Sequence, residues 1–126
     1  MDIVTKAETT ISNLIKGKDG RIRLTTTQLR KFLSAVNALN GKVNLYKIQG
    51  DKPGVLTTEL ANEIKYLKIK LVYQAGREAS VKDFVDKAEL LSMIDAIQND
   101  TKKYEEFARY IEALVAYRKF AGGDSR

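Results

Sequence analysis

The chain has 126 residues, with 22 Lys or Arg against 16 Asp or Glu, a formal net charge of +6. It contains no cysteine and no histidine, which excludes disulfides, thiolate metal sites, cysteine nucleophiles and histidine general bases. The length suits one helical domain over 1–126, and no apolar run approaches the ~20 residues that cross a bilayer, so a soluble cytoplasmic protein without a membrane partner is expected.

Residues 1–15 place Ile3, Val4, Ala7, Ile11, Leu14 and Ile15 at helical spacing and predict a short amphipathic helix. A basic linker follows over 16–24, broken by Gly17 and Gly20. Thr25, Thr26 and Thr27 offer N-caps to a second helix that carries Leu29, Phe32, Leu33, Val36 and Leu39 inward. Its extent is open: Val43 and Tyr46 continue the stripe, whereas Asn40-Gly41 favours a turn. Residues 50–54, with the only proline, Pro53, read as a loop.

Thr57 or Thr58 caps a third helix expected to end near Arg77, with Leu60, Ile64, Leu67 and Leu71 on its core stripe. Ser80 with Asp83 resembles a capping box ahead of a fourth helix that turns Phe84, Val85, Ala88, Leu91, Ile94 and Ile97 inward. Asp100 or Thr101 opens a fifth, with Tyr104, Phe107, Ile111, Leu114 and Val115 inside and Gly122-Gly123 after it. The fold class is therefore all-α, a compact bundle of about five helices.

Charge is placed unevenly. Residues 16–31 hold six cations and one acid, Asp19, while 78–112 hold nine acids and five cations. Between 65 and 77 stand Lys65, Lys68, Lys70 and Arg77 with no acid, and Tyr66, Lys70, Tyr73 and Arg77 form a second stripe beside the core stripe. Alternating rings and cations suit a polyanion whose bases or sugars lie on aromatics while its phosphates meet Lys and Arg. The plainer reading is a solvated flank whose tyrosines lean over neighbouring helices. If the second and third helices lie side by side, Arg30 and Lys31 join this surface. Ile69 and Val72 sit away from the core stripe, as on a helix used at a subunit contact.

Other chemistry is poorly supported. Glu105, Glu106, Glu112, Asp95 and Asp100 read as solvated faces beside Lys102, Lys103 and Arg109, so no metal site or catalytic residue is expected. Residues 17–20 lack the strand and the Lys-Ser or Lys-Thr ending of a phosphate loop. No small-molecule substrate or cofactor is implied. Gly76 interrupts a helical pattern at a cost of ~1 kcal/mol relative to Ala, through fraying or a close backbone.

Three stretches nevertheless resemble one family, the small subunit of the type III-A CRISPR effector, the Csm complex. They are 24–33 (LTTTQLRKFL), 66–78 (YLKIKLVYQAGRE) and 110–120 (YIEALVAYRKF), in the family's order, and the similarity covers 24–123. Residues 1–23, a variable N-terminal helix and basic linker, and 40–55 inherit little from it.

The resemblance implies a non-catalytic, all-α RNA-binding subunit in antiviral defence. Several copies of it stack in a ribonucleoprotein opposite a row of backbone subunits, with guide RNA and target RNA between the rows. Cleavage chemistry falls to the backbone and large subunits. Arg30, Lys31, Lys68, Lys70, Tyr73 and Arg77 are the candidate RNA-binding residues, with Lys119 for RNA or a neighbouring copy. Arg77 beside Glu78 has an alternative as an internal ion pair. Two rival functions remain, a free-standing helical DNA-binding regulator, disfavoured by the long connection 40–55, and a metal-dependent nuclease.

Overall fold

The computed structural model describes residues 2–122; Met1, the expected terminator Gly123 and the residues after it lie outside the description. Among the described residues six helices follow in order: α1 (Ile3–Ser12), α2 (Thr26–Gln49), α3 (Thr58–Arg77), α4 (Ala79–Ala88), α5 (Leu90–Ile97) and α6 (Thr101–Ala121). Apolar faces from all six meet in one core built around Tyr104, Phe107, Tyr110 and Leu114 of α6. Among the described residues no strand forms, and no helix is long and apolar enough to cross a membrane.

The first helix is shorter than its apolar spacing predicts. The Asp2 carboxylate caps it, accepting from the Thr5 amide at 2.7 Å, and that bond holds the carboxyl below the usual aspartate range. The helix stops at Ser12 because α4 supplies better partners beyond it. The Lys87 ammonium donates to the Asn13 carbonyl at 2.6 Å, and the Ile15 amide donates to Asp83 at 2.9 Å. Leu14 still reaches the core, from a loop rather than a helix.

The second helix opens on a capping box. The Gln28 amide donates to Thr25 Oγ1 at 3.1 Å, and the Thr25 amide donates to Gln28 Oε1 at 2.9 Å. Asn40-Gly41 does not turn. Leu39 and Val43 are both buried, so a turn between them would expose one, and the Asn40 side chain accepts from the Tyr104 hydroxyl. The helix ends at Gln49, and Gly50 leaves it in extended backbone so close to Tyr46 that a Cβ there would meet the Tyr46 ring at 2.6 Å and its carbonyl at 2.8 Å. Tyr46 in turn donates to the Lys52 and Val55 carbonyls and folds 50–56 back onto the bundle.

Thr57 caps α3, which keeps helical geometry through Gly76 to Arg77. Neither expectation for Gly76 holds among the described residues: the helix continues to Arg77, and outside its own turn of helix no atom comes within 4 Å of the Cβ that Gly76 lacks.

The fourth expected helix is two. Glu89 adopts φ +59°, ψ +37°, and the chain divides there into α4 and α5. The break has a long-range cause: the buried Tyr110 hydroxyl takes the Ala88 carbonyl at 3.0 Å, and Lys6 holds the Glu89 carboxylate at 2.9 Å. The shift buries Leu90 fully and leaves Leu91, the residue expected inside, at the core's edge. Ser80 is likewise no cap. Glu78 precedes the helix, and the Ser80 hydroxyl reaches Gln28 Oε1 at 3.3 Å.

At the far end of the bundle Arg118 is completely buried, which no feature of the sequence announces. Its Nε donates to the Leu24 carbonyl at 2.6 Å and its guanidinium to the Gly122 carbonyl at 2.9 Å. One side chain thus closes the end of α6 and fixes the entry into α2.

Arg118→Met retains the apolar stem and removes the donors, so it should lower stability by ~2 kcal/mol, measured by urea titration of the helical circular dichroism. Burial also raises the pKa of Tyr104 and of Tyr110. An unfolded chain ionises its tyrosines near pH ~10 while the fold keeps these two protonated, so stability should fall as pH rises past that value. Tyr104→Phe should flatten that decline; an unchanged slope would show that Tyr104 titrates alike in both states.

Candidate nucleic-acid interface

Helices α2 and α3 run antiparallel and are tied at both ends. Gln28 Nε2 donates to the Glu78 carboxylate at 2.9 Å at one end, and Lys42 pairs with Glu63 at 2.6 Å at the other. Between the ties runs a groove with a cavity of about 460 Å³. Its floor is apolar, with Leu24, Leu29, Leu71, Val81 and Phe84 all buried, and Phe32 and Ala35 form half-buried walls. Lys31, Lys70, Tyr73 and Arg77 stand on its rim, all exposed.

The rim is positive by default of acids. Among the described residues, no carboxylate lies within 4.0 Å of Arg30, Lys31, Lys70 or Arg77. The acids of 78–112 are largely engaged elsewhere. Asp83 meets Lys87 and Asp86 meets Lys82, each at 2.8 Å; Asp95 meets Lys68 at 2.7 Å; Glu105 meets Lys47; Asp100 caps α6. Glu89 is held below the ordinary glutamate range by its hydrogen bond and charge contact with Lys6. Among the described residues no group of three or more acidic side chains is placed to hold a metal.

The candidate RNA-binding residues separate into three sets. Lys31, Lys70, Tyr73 and Arg77 come together on the groove, and the Arg77 guanidinium sits over the Tyr73 ring at 5.6 Å. Glu78 is bonded to Gln28 rather than to Arg77. Arg30 is exposed on α2 outside the lining, and Lys119 is exposed in the last turn of α6. Lys68 belongs to neither group. Two residues before Lys70 on a helix, it lies about 200° away round the axis and is matched by Asp95 of α5. Missing from the candidates are Gln28 and Gln74, which also line the groove; neutral amides carry no charge signal in a sequence.

The three stretches that carried the family resemblance meet at this groove. Stretch 24–33 supplies Lys31 and most of one wall, and 66–78 supplies Lys70, Tyr73 and Arg77. From 110–120, Arg118 grips Leu24 from beneath. The family described as Csm2 Type III-A matches residues 2–124. The chain belongs to this family. Its relatives include the CRISPR system Cms protein Csm2 of Streptococcus thermophilus, 43% identical over 120 residues, which are 95% of this chain and 91% of that protein. The protein of the same name from Mycobacterium tuberculosis is 40% identical over 119 residues, covering 94% and 90% of the two chains. That of Enterococcus italicus is 34% identical over 99 residues, covering 77% and 67%. The match begins at residue 2 and so spans the N-terminal helix as well as 24–123.

Proposed function

We propose that the chain is a non-catalytic structural subunit of a type III-A CRISPR ribonucleoprotein and that its α2–α3 face lies along the guide RNA–target RNA pair. Its relatives are named as CRISPR system proteins of the Csm2 family. The observation that carries the RNA assignment is the gathering of Lys31, Lys70 and Arg77, without carboxylate partners among the described residues, on one groove rim. Phosphate oxygens spaced along a strand suit that row, and the contact reads no sequence. Sequence indifference is required, because each guide differs and base pairing supplies the specificity.

The remaining roles follow from position. Arg30 extends the positive face beyond the groove, Tyr73 offers a ring to a base or ribose, and Lys119 serves a neighbouring copy or the RNA. Lys68 contributes less, since Asp95 already screens it. Backbone subunits, the large subunit and further copies of the chain are the protein partners. The cleavage chemistry belongs to those other subunits. A free-standing DNA-binding regulator has no specific observation in its favour: α2 and α3 are joined by residues 50–57 and lie antiparallel, unlike a helix pair joined by a tight turn.

Binding of a fluorescein-labelled single-stranded RNA to the full chain, followed by anisotropy across a salt series, tests the assignment. Affinity should fall steeply with salt and vary little with sequence. Each of Lys31→Ala, Lys70→Ala and Arg77→Ala should reduce the log–log slope by ~0.7, while Lys68→Ala leaves it close to the original. A slope near zero in the unmodified chain would contradict phosphate contact.

A further inference from the structure

Helix α2 carries a second pattern on the side opposite its buried Val36, Leu39 and Val43. Ser34, Ala38, Gly41, Leu45 and Ile48 follow one another at steps of four, three, four and three, the period of a helix that packs along another helix. At about 100° per residue the five fall within roughly 80° of arc. All five are exposed, Leu45 at 54% and Ile48 at 82%. Single apolar residues on a surface are ordinary, but a row at heptad spacing is a seam.

Gly41 stands at the middle of that seam. Glycine is a poor helix former, yet α2 runs through it unbroken. Outside its own turn of helix no atom comes within 4 Å of the Cβ it lacks, so no described neighbour requires a glycine there. A second backbone lying across α2 would require one.

The seam is graded, small at its N-terminal end and large at its C-terminal end. Reversed and laid on itself about Gly41, it sets Ile48 over Ser34 and Leu45 over Ala38, so each large side chain meets a small one. A parallel copy instead sets Leu45 against Leu45 and leaves space between the small residues. The same reversal brings Arg30 toward Asp51 of the second copy. Among the described residues Arg30 has no carboxylate and Asp51 no cation within 4.0 Å. Shape and charge are therefore both self-complementary, as a two-fold contact demands. Leu45 and Ile48 offer a phosphate backbone nothing.

Independently of the RNA reading, we propose that the free chain forms a two-fold symmetric dimer in which the outer faces of α2 pack antiparallel and cross at Gly41. The seam from Ser34 to Ile48 is about 21 Å long. A single helix pair of that length belongs with interfaces burying below about 1,200 Å² in total, so association falls in the micromolar range. Arg30 serves the dimer in the free chain and the RNA in the assembled particle.

Sedimentation equilibrium of the full chain from about 1 to 300 μM should fit a monomer–dimer equilibrium. Gly41→Leu meets no neighbour in the monomer and suits a helix, so it should raise the dimer Kd about tenfold or more with the helical circular dichroism retained. Arg30→Asp should weaken the dimer about threefold, and adding Asp51→Arg should restore it. The chain has no cysteine, so Gly41→Cys introduces a single thiol. Its two copies meet at the two-fold axis, within the Cα separation of about 7 Å that a disulfide spans, and should cross-link on oxidation. Leu45→Cys should not, because its two copies lie about 12 Å apart along the helix axis.

A monomer throughout the concentration range would overturn the proposal and leave the seam to RNA or to another protein. So would a dimer indifferent to Gly41→Leu, a charge exchange that restores nothing, or cross-linking at Leu45→Cys as ready as at Gly41→Cys.

Discussion

The distribution of carboxylates governs what this bundle presents to its surroundings. Asp83, Asp86, Glu89, Asp95 and Glu105 are each matched by a lysine, drawn from α1, α2, α3 or α4. Along the α2–α3 rim the only acid of the lining among the described residues, Glu78, is bonded to a neutral amide. Charge matched elsewhere leaves the rim as a concentrated positive strip, although the net charge of +6 is modest for the chain as a whole. Exposed pairs of this kind contribute little to stability, typically below ~1 kcal/mol each. Their consequence is directional: they fix where an anion approaches.

Holding that strip in shape requires contacts far from it. The spacing of α2 and α3 is set at one end by Gln28 with Glu78 and at the other by Lys42 with Glu63. Beneath them α6 acts as the central post. Tyr104 reaches Asn40 of α2, Tyr110 reaches Ala88 at the end of α4, and Arg118 reaches Leu24 before α2. All three are polar tips on buried stems. Each directs a carbonyl or amide that would otherwise be unsatisfied in the core, so their value lies as much in geometry as in energy. The stretch resembling the family at 110–120 is thus a scaffold for the groove rather than part of its rim.

Much of this was legible in the sequence, and the failures share one physical origin. Helical periodicity located α3 and α6, and Thr25, Thr57 and Asp100 cap where their chemistry says they should. Periodicity also set Lys70, Tyr73 and Arg77 on one stripe, where the groove brings them. What local pattern missed depends on partners distant in the chain. The division at Glu89 comes from Tyr110 and Lys6, and the early end of α1 from Asp83 and Lys87. Asn40-Gly41 stayed helical because burial of Leu39 and Val43 outweighs a turn preference of a few tenths to ~1 kcal/mol. Arg118 was overlooked because arginine belongs on surfaces by default, and its burial rests on carbonyl partners such as those of Leu24 and Gly122. Lys68 shares a charge run with Lys70 but not a face, and composition alone does not separate them.

RNA held along the α2–α3 rim would cover some lysines of the chain and leave others open to solvent. Lysine reactivity toward an acetylating reagent, quantified by mass spectrometry for the full chain with and without bound RNA, addresses this directly. Lys31 and Lys70 should be protected together, with Lys68 and the lysines of α4 unchanged. Protection of Lys82, Lys87 or Lys102 with Lys31 and Lys70 fully reactive would contradict that placement of the RNA.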